Sequence, residues 1–150
     1  MENLKEINNP ESFTEKTKPV SLVIDKNGKK WIRIRTLDMD VLIDIKNYKE
    51  GEEDRFTWYE LKEREEKGVV RMPSRKQWKL INLYREEINE LAKKENGDPI
   101  EGAYWTNEEV AQCYGYNSWL YHGSGGCLGI TYKSYSSQGR SLVYPNELQN

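Results

Sequence analysis

Histidine, cysteine and long apolar runs are scarce in this chain, and each scarcity removes a class of function. One histidine, His122, stands among 150 residues, so no histidine-rich metal centre can form. The two cysteines, Cys113 and Cys127, are too few for a disulfide framework and make no CxxC pair. They read as free thiols in a reducing compartment. The last 50 residues hold only four carboxylates, Glu101, Glu108, Glu109 and Glu147. Zinc and calcium sites both need several converging ligands, so no metal and no cofactor is expected. No apolar run approaches the roughly 18 residues that span a bilayer. The polar opening "MENLKEINNPESFTEKTKPV" lacks a signal peptide's apolar segment. A net charge of -2 leaves no basic footprint for nucleic acid. The expected location is cytoplasmic or within a virion, with neither membrane nor nucleic acid as partner.

What is present is unevenly spread. Residues 1–100 carry 42 of the 48 charged side chains. Residues 101–150 carry seven of the ten tyrosines and seven of the eleven glycines. No Pro- or Ser-rich linker divides these halves and no repeat is visible, so the expectation is a polar arm over 1–18 and one domain over 19–150.

"SLVID" and "KWIRIR" read as two strands of a hairpin, with the Asn-Gly turn signal in "DKNG". "DVLIDIKNY" reads as a third short strand. Thr57 and Glu60 have capping-box spacing at the head of "TWYELKEREEKG", which Gly68 should stop. Ser74 and Gln77 repeat that spacing. Trp78, Ile81, Tyr84 or Arg85, Ile88 and Leu91 then follow at helical intervals, predicting one helix that ends at Gly97. Its apolar stripe reads as core packing. Beyond Gly102 come the short strands "AYWT", "SWLYH", "CLGITYK" and "RSLVYP", with turns at "GSGG" and "SYSSQG". Strands, two helices, then strands predict an α+β fold with mainly antiparallel pairing.

Several of these segments resemble bacterial C-type-lectin-like domains, including the formylglycine-generating-enzyme group and domains with a "TW-x-x-A…WRLPT-x-x-E" signature. Arg71-Met72-Pro73-Ser74 stands where the signature has Arg-Leu-Pro-Thr. "YWTNEE" (104–109) resembles "YWSSTE", "SWLYH" resembles an "AWYVxF" strand, and "SLVYP" stands for the closing "VRPV". The resemblance covers roughly residues 20–145 and implies a C-type-lectin-like fold. The chain departs from the family at its last strand, where Arg140 comes early. It also lacks the Glu-Pro-Asn and Trp-Asn-Asp signatures of calcium-dependent sugar binding, and no Lys, Arg or second His lies near either cysteine in sequence to activate it.

In such domains the last third carries ligand contacts. From Tyr114 to Pro145 the chain holds six tyrosines, six glycines and six serines, with only Lys133 and Arg140 charged. Tyr gives large contact area at little entropy cost, and Ser, Gly and Asn adapt their hydrogen bonds. Tyr114, Tyr116, Asn117, Tyr121, Tyr132 and Tyr135 are therefore expected to form a ligand-binding surface. Trp105, Trp119, Leu128 and Ile130 are expected in the core. The expected function is a non-enzymatic binding or assembly module, of bacterial or phage origin, that contacts a protein or glycan partner and can form an oligomer. The alternatives are a compact thiol oxidoreductase using Cys113 or Cys127, and a virion decoration protein. His122 has no nucleophile at a recognisable spacing, so no catalytic residue is assigned.

Overall fold

The Asn-Gly signal does close a hairpin. In the computed structural model, which describes residues 18–111 and 115–148, β1 (Val20–Ile24) pairs antiparallel with β2 (Lys30–Arg35). Gly28 takes φ 83° in the turn, a conformation closed to most side chains. The Asp25 carboxylate accepts from the backbone N–H groups of Asn27 and Lys29, locking the loop. β3 (Asp40–Asp44) adds to β2, and only these five residues of the expected third strand are strand. Ile32, Ile34, Val41, Ile43 and Ile45 recur at every second position and are all buried. They give this sheet one apolar face.

Both capping boxes form. Thr57 caps α1 (Trp58–Glu66) and Ser74 caps α2 (Arg75–Leu83), each with its side chain and the third helical residue bonding reciprocally. Gly68, at φ 77°, follows the end of α1. The predicted long helix is corrected to two. Tyr84, at φ -113° and ψ 17°, separates α2 from α3 (Arg85–Lys94). Its N–H donates to the Ile81 carbonyl, three residues back, which tightens the turn. The bend has a packing reason: α2 lies against β4 and β5, whereas α3 lies against β1 and β2. One straight helix would not follow both sheets.

The second sheet contains β4 (Ala103–Glu109), β5 (Asn117–His122) and β6 (Cys127–Tyr132), in that order and antiparallel throughout. β7 (Leu142–Val143) does not join it. It returns to pair with β3, giving a first sheet of order β1-β2-β3-β7. The described residues are thus α+β, with three helices and two antiparallel sheets.

Two apolar clusters fill the interior. One joins the first sheet to Trp78, Ile81, Ile88, Ala92, Tyr104 and Tyr121. The other gathers Phe56, Trp58, Leu61, Val70, Met72, Trp105 and Leu120. A polar junction ties the end of β3 to the approach to β7. Buried Arg140 donates from Nε to the Asp44 carbonyl at 2.6 Å and from Nη1 to Asn47 Oδ1 at 2.8 Å. The Tyr104 hydroxyl donates to the same Oδ1 at 2.8 Å. Removal from water holds the Arg140 pKa below its ordinary value.

Candidate interaction surface

β5 and β6 are strands because their residues alternate between two differently covered faces. Across the pair, Asn117 opposes Tyr132, Trp119 opposes Ile130 and Tyr121 opposes Leu128. Opposed residues share a face, so these six form one continuous surface. α2 covers one end of it. Trp78 stacks on Tyr121 with ring centroids 4.5 Å apart and planes 9° apart. The other end passes beyond the start of α2 and meets solvent.

Tyr121 therefore belongs to the core, contrary to its expected place on the surface. It is 1% exposed, and its hydroxyl donates to Asn82 Oδ1. Burial pushes its pKa up to about 12. Ile130 is corrected in the opposite sense: expected in the core, it is 50% exposed. Trp119 is half-buried and not enclosed, and Leu128 is half-buried against the first cluster. Trp105 is fully buried as expected, with its indole N–H on the Phe56 carbonyl at 2.8 Å.

Of the remaining expected contact residues, Tyr116, Tyr132 and Tyr135 are exposed (64%, 53% and 57%) and Asn117 is half-buried. Tyr132 and Tyr135 touch edge to face, with centroids 5.3 Å apart. Tyr116 stands out of phase with them. Its carbonyl accepts from the Lys133 N–H at 2.9 Å, placing it opposite Lys133, one position past Tyr132. The pleat thus directs Tyr116 and Tyr132 to opposite faces. Tyr114 and Cys113 lie outside the described residues.

Two neighbours of this surface give no sign of themselves in the sequence. The Arg75 guanidinium lies 4.5 Å from the Trp119 ring and is paired with Glu108 at 3.0 Å. Lys133 is almost wholly buried. Its ammonium bonds to Glu109 and lies 4.4 Å from the Trp58 ring and 5.6 Å from the Tyr59 ring. The Lys133 carbonyl accepts from the Trp58 N–H at the start of α1. These contacts pin the segment that presents Tyr135.

A separate open groove of about 1100 Å³ runs past Trp31, Asp44, Tyr48, Val69, Arg71 and Glu95. Its charges largely satisfy one another: Lys29–Asp44 at 2.9 Å, Lys30–Glu95 at 3.0 Å and Arg71–Glu147 at 2.6 Å. Among the described residues, no group of three His, Cys, Asp or Glu side chains is placed to hold a metal ion. No described helix is long and apolar enough to cross a membrane. His122 is exposed, and so is Cys127.

No protein-family model matches the chain, and no curated protein matches it significantly. What defines it is an α+β domain of two antiparallel sheets, with an aromatic surface at the uncovered end of the second sheet.

Proposed function

We propose that this chain is a non-enzymatic binding or assembly module of C-type-lectin-like fold, bacterial or phage-encoded. Its contact surface is the aromatic end of the three-stranded sheet. One observation carries the reading: Trp119, Ile130, Tyr132 and Tyr135 remain half-buried or exposed beside a face whose other end is closed by Trp78. Exposed aromatic and apolar side chains that sit together mark recognition sites. The strand order supports the C-type-lectin-like reading, since the last strand returns to the first sheet and encloses the helices between.

A protein partner fits the surface better than a glycan. Its centre is apolar and its rim carries the Arg75–Glu108 pair, the pattern of a protein interface. On the β5 and β6 positions of that face, Asn117 is the one side-chain amide available to sugar hydroxyls. The test is affinity capture from the native source with Tyr135→Ala and Tyr116→Ala variants in parallel. Tyr135→Ala should weaken capture of a specific protein by about thirtyfold, as for a loss of about 2 kcal/mol. Tyr116→Ala, on the other face, should capture it as the parent does. Equal capture by parent and Tyr135→Ala would refute the placement, and binding to glycans alone would refute the protein partner.

A further inference from the structure

We infer that the outer edge of β6 is a self-association surface, where β6 of one copy pairs antiparallel with β6 of a second copy about a two-fold axis at Ile130. The inference concerns the strand's backbone and does not rest on the partner-binding reading above.

Among the described residues β6 lies at the end of the sheet order, with β5 as its only strand neighbour. The Lys133 N–H to Tyr116 carbonyl bond makes that opposed pair a hydrogen-bonded one. Hydrogen-bonded and non-hydrogen-bonded pairs alternate along antiparallel strands. The pairs 117–132, 119–130 and 121–128 are therefore non-hydrogen-bonded. Asn117 agrees, because its carbonyl accepts from Val110 on the β4 side. It follows that Leu128, Ile130 and Tyr132 direct their N–H and C=O groups away from β5. Among the described residues these groups have no backbone partner, except that the Tyr132 carbonyl accepts from Tyr135.

Edge strands are ordinarily guarded by a lysine, a proline, an inward charge or a bulge. β6, "CLGITY", has none of these. The next cation, Lys133, is turned inward onto Glu109 and Trp58, and so leaves the edge unguarded. The occupant that suits this edge is a second copy. A two-fold axis sets a strand against itself, so charges near the centre would repel, and β6 carries no charge. The hydrogen-bonding phase is also self-complementary. With the axis at Ile130, Ile130 opposes Ile130 of the second copy, and Leu128 opposes Tyr132 in both directions. All three outward residues are then paired, and any shift of the axis leaves at least one without a partner. On the side-chain face the same register sets aliphatic on aliphatic and aliphatic on aromatic, both favourable cross-strand pairs. The two sheets become one of six strands, and the aromatic surfaces of both copies become continuous.

A contact one strand wide falls at the small end of specific interfaces, under about 1,200 Å², so a weak, concentration-dependent dimer is expected. Sedimentation equilibrium of the purified chain tests it, with Ile130→Lys as the comparison. The parent should pass from monomer to dimer as concentration rises. Ile130→Lys should remain monomeric at the same concentrations and melt as the parent does, because Ile130 is 50% exposed. The register is tested with Ile130→Cys in a Cys113→Ser, Cys127→Ser background. Directly opposed residues of a hydrogen-bonded pair lie about 5.5 Å apart between Cα atoms, within reach of a disulfide. Mild oxidation should give a covalent dimer from Ile130→Cys and much less from Leu128→Cys. A parent chain still monomeric at about 1 mM, an Ile130→Lys chain that dimerises, or equal crosslinking by both cysteine variants would overturn the inference.

Discussion

Trp78 lies flat on Tyr121, one residue from α2 and one from β5, with ring centroids 4.5 Å apart. Tyr104, which opposes Tyr121 across β4 and β5, lies tilted against the same indole with centroids 5.3 Å apart. This aromatic stack fixes the helix to the second sheet and decides how much of β5 and β6 is left for contact with other molecules.

Removing Trp78 should therefore unmake the fold. Trp78 is 0% exposed, and large-to-small substitution at such a site costs about 3–5 kcal/mol. Chemical denaturation of Trp78→Ala should show a loss of that size. Tyr121→Ala should also behave as a core substitution, whereas Tyr135→Ala should shift the melting temperature very little.

Lys133 should act as a clamp on the segment that carries Tyr135. Its ammonium combines one charge-assisted bond to Glu109 with a place over the Trp58 ring. Lys133→Ala is expected to lower stability by about 1–3 kcal/mol. It should also speed amide hydrogen exchange in the backbone of 133–137 more than in β2. Uniform exchange behaviour would show that the clamp does not hold this segment.

Stability should fall at both ends of the pH scale, for separate reasons. Hydrogen bonds from Arg64 and Tyr48 hold the Glu50 carboxyl down at about 2. A depressed carboxyl contributes stability that is complete above its ordinary value, 4.5, and is lost as pH falls toward 2. Denaturation at a series of acidic pH values should show a shallower decline for Glu50→Gln across that window. Tyr121 runs the other way. Burial raises it from 10.0 to about 12, so its contribution is present below pH 10 and lost as pH rises through 12. Tyr121→Phe should flatten that alkaline decline.

The cysteines should prove dispensable. Cys127 is exposed, and the described residues do not place it in a cluster of metal-ligating side chains. A Cys113→Ser, Cys127→Ser chain should fold and keep its binding behaviour. An alkylating reagent should modify Cys127 at the rate of an ordinary thiol. Reaction orders of magnitude faster would instead indicate a stabilised thiolate and favour the oxidoreductase alternative.

The parts of the fold legible in the sequence are those set by neighbouring residues. Both capping boxes are local, and so is the Asn-Gly turn. Gly97 shows the limit of that kind of reading. It reads as a helix stop, yet Asn96 is the residue with positive φ, at 61°. Gly97 is glycine for a different reason: a Cβ there would lie 2.4 Å from the Ile45 carbonyl oxygen. That contact is long-range and leaves no local trace. The misplaced strand residues have a related cause. Period-two alternation puts Tyr121, Leu128, Ile130 and Tyr132 on one face. How far along that face α2 extends is set by tertiary packing, and it alone makes Tyr121 core and Ile130 surface. The bend at Tyr84 was hidden for the same reason, since the apolar stripe runs through it unbroken.

The return of β7 to β3 has a consequence for how the molecule comes into being. Ile43 pairs with Leu142 across most of the described chain, so the first sheet lacks its last strand until almost the whole domain has been synthesised. Until then the β3 edge stays open, and Arg140 has not yet met Asp44 and Asn47. Contacts this distant in sequence slow folding, because a long loop must close before they form. A nascent chain stalled before Arg140 would hold β1–β6, the helices and the residues of both apolar clusters, yet leave the β3 edge unpaired, a template for pairing with another chain.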